Sequence, residues 1–105
     1  MQRADVFQAI SDPSRRQILG LLTKNSLTIN SLAENFSMSR PAVSKHIKIL
    51  HEAGFINIAN IGRERYCILQ PKGFEDLQHW IDYFDDFWKK KLKKLETLLN
   101  ARAKK

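Results

Sequence analysis

The stretch that decides the fold is residues 28–53, TINSLAENFSMSRPAVSKHIKILHEA. It reads as two short helices joined by a tight break. Thr28 has a side-chain oxygen that can accept from a free amide of a first helical turn, so it is an N-cap candidate. From Ile29 to Phe36, the residues Leu32, Ala33 and Phe36 recur at helical spacing. Ser37-Met38-Ser39 interrupts the pattern. Ser39 then caps a second helix that tolerates Pro41 in its first turn and runs to Ala53, where Gly54 is a natural stop. At 100° per residue, Val43, Ile47 and Leu50 of this helix fall within about 60° of one another. Ala42, Ile49 and Ala53 flank them, while Pro41, Ser44, Lys45, Lys48 and Glu52 lie opposite, with Arg40 at the edge. One face is built to be buried, and the other offers short polar groups and cations.

After Gly54 the hydrophobic period changes from 3.6 to 2. Phe55–Ile58 and Arg65–Leu69 are β-prone runs, with Ala59–Glu64 expected as the loop and Gly62 supplying a positive φ. Pro71 closes the ladder, because proline has no amide to donate. A steep pair of helices, the second basic, makes a helix-turn-helix, and the hairpin behind it makes a wing. The second helix of such a pair reads DNA. Arg40 and Lys45 can reach guanine O6 and N7, and Ser44 can bond a base edge or a phosphate. Pro41 shares that early face, and Lys48 suits the sugar-phosphate backbone. Arg63 and Arg65 at the wing tip suit a minor groove or phosphate. Arg15 and Arg16 are further phosphate candidates. His46 falls inside the apolar arc and reads as a half-buried structural histidine.

Working outward, residues 3–10 are short and amphipathic, with Val6, Phe7 and Ile10 on one face. Asp12 caps, and Pro13 opens, a helix from Ser14 to about Thr23 that carries Ile18, Leu19 and Leu22 inward. From Lys72 a single helical pattern runs without a breaker after Gly73. Its residues Phe74, Leu77, Ile81, Phe84, Trp88, Leu92, Leu95 and Leu99 step by three or four. About 30 residues at 1.5 Å each make a rod of roughly 45 Å. The expected fold is mostly α with one β-hairpin, a winged helix-turn-helix in the order α-α-α-α-β-β-α. Residues 1–105 form one domain, with the helix-turn-helix at 28–53, the wing at 55–70 and a long C-terminal dimerisation helix at 72–102.

A chain of 105 residues has room for one modest core. Its 43% apolar and 28% charged residues make a globular mixture rather than a disordered one. No run approaches the roughly 20 apolar residues of a membrane span, and the N-terminus lacks a signal-peptide pattern, so a cytoplasmic location is expected and no membrane partner. The only cysteine, Cys67, rules out an intrachain disulfide framework and reads as a buried, inert thiol. There is no nucleophile–base pair, glycine-rich phosphate loop or metal-ligand cluster, which argues against an enzyme and against a cofactor or metal.

The net charge is +7. On the proposed reading surface, Arg40, Lys45, Lys48, Arg63 and Arg65 against Glu52 and Glu64 leave +3. The last helix is polarised. Lys72 against Glu75, Asp76, Asp82, Asp85 and Asp86 gives −4 over residues 72–87. Residues 88–105 set seven lysines and Arg102 against Glu96, giving +7. Acid near the N-terminus and base near the C-terminus suit the helix dipole, and the same pattern can select a partner helix.

Trp80, Tyr83, Phe84, Phe87 and Trp88 crowd into nine residues of that helix. One small core already supplied by Ile18, Leu22, Leu32, Val43, Leu50 and Phe55 cannot take them all. Left bare, they form a patch that demands a partner. The simplest partner is a second copy, in a two-fold interface of Val6, Phe7, Ile10, Trp80, Phe84, Phe87, Trp88, Leu92 and Leu95. An aromatic ligand pocket there, or a winged-helix module that binds protein through this helix, are the alternatives.

Three runs, VFQAISDPSRRQILGLL from Val6, LTINSLAENFSMSRPAVSKHIKILHEAGFI from Leu27 and GRERYCIL from Gly62, closely resemble the ArsR/SmtB-type bacterial transcriptional regulators. The likeness spans roughly residues 4–70. It implies a homodimeric winged-helix repressor that binds a palindromic operator in double-stranded DNA, with the first and last helices at the dimer interface. It also implies that the positions matching Arg40, Pro41, Ser44 and Lys45 face the major groove. Many members sense metals through cysteines on the helix before the recognition helix, but Ile29–Glu34 has none. His79, Asp82 and Asp86 on the last helix supply only part of the other known motif. The resemblance is therefore to the branch that does not sense metals, in which protein contact, a small ligand or expression level regulates repression.

Overall fold

In a computed structural model, which describes residues 5–103, the caps read from sequence at Asp12, Thr28 and Ser39 hold their helices, and Asp5 adds one the sequence reading did not name. Helix α1 spans Val6–Ile10, and the Asp5 carboxylate accepts from Phe7 N. Helix α2 spans Pro13–Leu22, where Asp12 Oδ1 accepts from Ser14 N at 2.7 Å and Arg15 N at 3.3 Å. Thr28 Oγ1 accepts from Ser31 N to start α3, Ile29–Glu34. Ser39 Oγ accepts from Ala42 N to start α4, Arg40–Glu52. Each cap satisfies a donor that the first turn leaves without a partner. The part of the first helix expected at residues 3 and 4 lies outside the described residues.

The hairpin is longer and its turn tighter than the sequence suggests. Strands β2, Ile56–Ile61, and β3, Glu64–Leu69, pair antiparallel, so Ala59–Ile61 and Glu64 belong to the ladder and not to the loop. Only Gly62 and Arg63 remain as the turn. Gly62 has φ +63° and Arg63 does not have positive φ, the pattern of a II′-type hairpin turn. The short strand β1, Leu27–Thr28, adds to the order expected from sequence. It pairs with Cys67 and Tyr66, giving a three-stranded sheet ordered β1-β3-β2. Two residues carry no detectable period, which is why no sequence pattern announces them.

One core cluster joins Ile18, Leu22, Leu32, Val43, Ile47, Leu50, Phe55, Ile56 and Cys67. The last helix, α5, runs Pro71–Ala103 and touches this core only at its start. Proline is its first residue, where the missing amide costs nothing. Gln70 N donates to Phe55 O at 2.9 Å, and Gly73 N donates to Gly54 O at 2.8 Å. Gly73 lies on the Phe55 ring so closely that an added Cβ would stand 2.8–2.9 Å from three ring carbons. Phe74 then stacks edge-on against Phe55, with centroids 4.9 Å apart. Leu77 is half-buried, and every later residue up to Ala103 is exposed. The rod therefore projects, and the described chain measures 72 × 30 × 22 Å.

Gly73→Ala is expected to destabilise the fold by about 1–3 kcal/mol, since the methyl must push Phe55 out of a packed site. Thermal or urea unfolding reads this directly, and an unchanged midpoint would mean that α5 is not anchored there.

Candidate nucleic-acid interface

Helix α4 has the two faces that its sequence requires. Val43, Ile47 and Leu50 are at most 1% exposed. On the other side Arg40, Pro41, Lys45 and Lys48 are exposed, and Ser44 is half-buried. The Arg40 Nε donates to Asn30 Oδ1 on α3, so the guanidinium is held across the helix-turn-helix, and among the described residues its terminal nitrogens have no hydrogen-bond partner. Asn30 was not among the sequence candidates, and an exposed asparagine in a first turn gives no signal on its own. Arg63 and Arg65 stand exposed at and beside the hairpin turn.

Arg15 and Arg16, the further phosphate candidates, are engaged within the chain. Arg15 Nε donates to Ala9 O at 2.6 Å and its Nη2 to Gln8 O at 3.1 Å. Arg16 Nη1 donates to Ile10 O at 2.7 Å. These cations close the carbonyl end of α1, the favourable end of a helix for positive charge. His46 is half-buried as expected, and its Nδ1 lies 3.2 Å from Arg15 Nη1. Burial pushes the Asp12 carboxyl up, but the amides of Ser14 and Arg15 and the nearby Arg15 guanidinium outweigh it, leaving the group below the usual carboxylate value.

The proposed dimer residues divide into two sets. Val6 and Ile10 are half-buried against the core. Phe7, Trp80, Phe84, Phe87, Trp88, Leu92 and Leu95 are 39–60% exposed. Phe7 and Trp80 meet edge-on with centroids 5.2 Å apart, and Trp80 meets Phe84 at 4.9 Å, so α1 and α5 present one aromatic surface. An open apolar groove is lined by Trp80, Ile81, Phe84, Asp85 and Trp88. Cys67 is fully buried in β3, and desolvation pushes its thiol up, away from the reactive thiolate. His79, Asp82 and Asp86 lie on exposed helix, and Asp82 accepts from Gln78 Nε2. Among the described residues, no group of three or more His, Cys, Asp or Glu is arranged to hold a metal, and no helix is long and apolar enough to cross a membrane.

Comparison with known proteins agrees with this geometry. Residues 12–57 match the family model described as "Bacterial regulatory protein, arsR family". The transcriptional repressor SdpR of Bacillus subtilis is 39% identical over 77 residues, covering 73% of this chain and 86% of that protein. An ArsR-like transcriptional regulator from Rhodococcus sp. RHA1 superposes with a TM-score of 0.75 at 25% identity, over 91% of this chain and 88% of that one. The fold is also that of a homodimeric winged helix-turn-helix DNA-binding domain from Mycobacterium bovis, with a TM-score of 0.62 at 21% identity, over 77% of this chain and 75% of that one.

The Asp12 cap makes stability depend on acid. Because folding lowers this carboxyl, its contribution is complete above the unfolded value of 3.8 and is lost as the pH falls through the lower folded value. Asp12→Asn keeps a capping oxygen but no titratable charge. Its melting temperature should fall less steeply than that of the unchanged chain below about pH 4. Parallel curves would remove Asp12 from the acid response.

Proposed function

This chain belongs to the ArsR family of bacterial regulatory proteins, and we propose that it works as a homodimer that represses transcription from a palindromic operator in the cytoplasm. It is a DNA-binding transcriptional regulator rather than an enzyme. The observation that carries the proposal is the division of α4, with Val43, Ile47 and Leu50 sunk in the core and Arg40, Lys45 and Lys48 turned outward. In this reading Arg40, Pro41, Ser44 and Lys45 meet base edges and nearby phosphates, Lys48 meets the backbone, and Arg63 and Arg65 reach DNA from the wing. Two-fold symmetry then sets the recognition helices about 34 Å apart, one turn of DNA.

The bare aromatic surface of α1 and α5 supports the dimer. Its charge pattern also supports an orientation. Antiparallel α5 helices would lay the acidic stretch up to Asp86 of one copy against Lys89–Lys94 of the other, whereas a parallel pair would set like on like. One ion pair already joins the two stretches within a chain, Lys89 Nζ to Asp85 Oδ2 at 2.9 Å. Being exposed, it contributes little to stability by itself.

Binding of the purified chain to a duplex from its own promoter region tests the DNA reading. The double substitution of Ser44→Ala and Lys45→Ala should cost roughly 1–3 kcal/mol, and affinity should fall steeply with salt as counterions are released. Equal operator protection by the double variant would move the reading surface elsewhere. Trp80→Ala with Phe84→Ala should shift sedimentation toward the monomer. A dimer that persists unchanged would place its interface on another face.

A further inference from the structure

We propose that Arg15 is a positioning residue for the recognition helix: by holding the last carbonyls of α1 and the imidazole of His46 together, it couples the seating of α1 against α5 to the orientation of α4. This rests on the reading above that α4 faces DNA.

The contact has a defined chemistry. A guanidinium has donors in a fixed fork and no acceptor. Arg15 spends Nε on Ala9 O, Nη2 on Gln8 O and Nη1 on His46. His46 Nδ1 must therefore offer its lone pair, which places the ring proton on Nε2 of a neutral imidazole. A lysine ammonium, a point charge on a flexible stem, has no such fork with which to hold three acceptors at once.

The place of the contact gives it leverage. His46 lies between exposed Lys45 and buried Ile47, so the ring sits where α4 turns from its outer face to the core. At the other end of the linkage, Phe7 of α1 stacks on Trp80 of α5. Helix α1 has five residues, too few to stand alone, and its position depends on what grips it. Arg15 grips it from one side and Trp80 from the other.

Few charges face this point. Arg15 and Asp12 come from α2, and Lys45 is the neighbour on α4 itself. Helix α3 carries only the exposed Glu34, while β2 and α1 have no other ionisable side chain. Protonating the ring would set an N–H against the guanidinium, so the linkage needs the neutral form even though Asp12 is close by.

Binding to the promoter-region duplex, measured with the purified chain, tests the coupling. Arg15→Gln and His46→Leu should each weaken binding about tenfold, the double variant no further than either single one. His46→Asn should keep nearly unchanged affinity, because its Oδ1 stands where Nδ1 stood and accepts from Arg15. Additive losses, or an asparagine variant as weak as the leucine one, would overturn the proposal. The tautomer gives a readout without DNA. Long-range proton–nitrogen spectra should show the His46 proton on Nε2 in the unchanged chain and a mixture in Arg15→Gln. A proton on Nδ1 in the unchanged chain overturns the linkage itself. A chain with the Nε2–H tautomer that binds no promoter duplex overturns instead the DNA reading on which the assignment rests.

Discussion

Burial of one narrow face of α4 is the constraint on which everything else depends. Val43, Ile47 and Leu50 are the part of this helix committed to the core, shared with Ile18, Leu22 and Leu32. Side chains on one face of a helix fix the direction of all the others. Once these three are seated, Lys45 and Lys48 have nowhere to go but outward. A functional surface is thus set by apolar packing on the opposite side of the same rod. Apart from the Arg40–Asn30 contact, the polar face is held in place by that packing, which leaves its donors available for a ligand.

The same economy leaves α5 outside. The core closes with Phe55, Ile56 and Cys67 behind α4, and only the first turns of α5 find a place on it. Gly73 is what permits even that, since any side chain would collide with the Phe55 ring. Beyond Leu77 the helix is held by its own hydrogen bonds, with the Lys89–Asp85 pair along its side and Arg102 in its last turn. In proteins most of a helix's stability comes from packing its apolar face rather than from propensity. That face is bare in a single chain, and a two-fold partner would supply what it lacks.

Local signals explain how much of this could be read from sequence. The caps at Asp12, Thr28 and Ser39, the stop at Gly54 and the apolar spacing of α4 act over three or four residues, and each stands in the structure where the sequence put it. The DNA-facing candidates Arg40, Lys45, Lys48, Arg63 and Arg65 were legible for the same reason, as the leftover face of a patterned helix and the tip of a hairpin. What was not legible depends on distant partners. Strand β1 exists because Leu27 and Thr28 meet Cys67 and Tyr66, forty and thirty-eight positions on. Gly73 is required by Phe55, and Arg40 is steered by Asn30. Sequence spacing carries no trace of such encounters.

Arg15 and Arg16 show where counting charge misleads. As members of a basic chain they resemble phosphate ligands, yet both are spent on the carbonyl end of α1. A helix of five residues leaves most of its carbonyls without intrahelical partners, and two arginines arriving from the next helix satisfy the last three residues. Their charge still adds to the field that attracts DNA, but Arg15 is held by three contacts and Arg16 by one at that end, which fixes where they point. Net charge therefore measures long-range attraction, while the number of cations able to touch a phosphate is set by which ones the fold has already engaged. On that distinction, the proposed DNA contacts fall to the outward face of α4 and the wing, and the proposed alignment to the α1 end of the molecule.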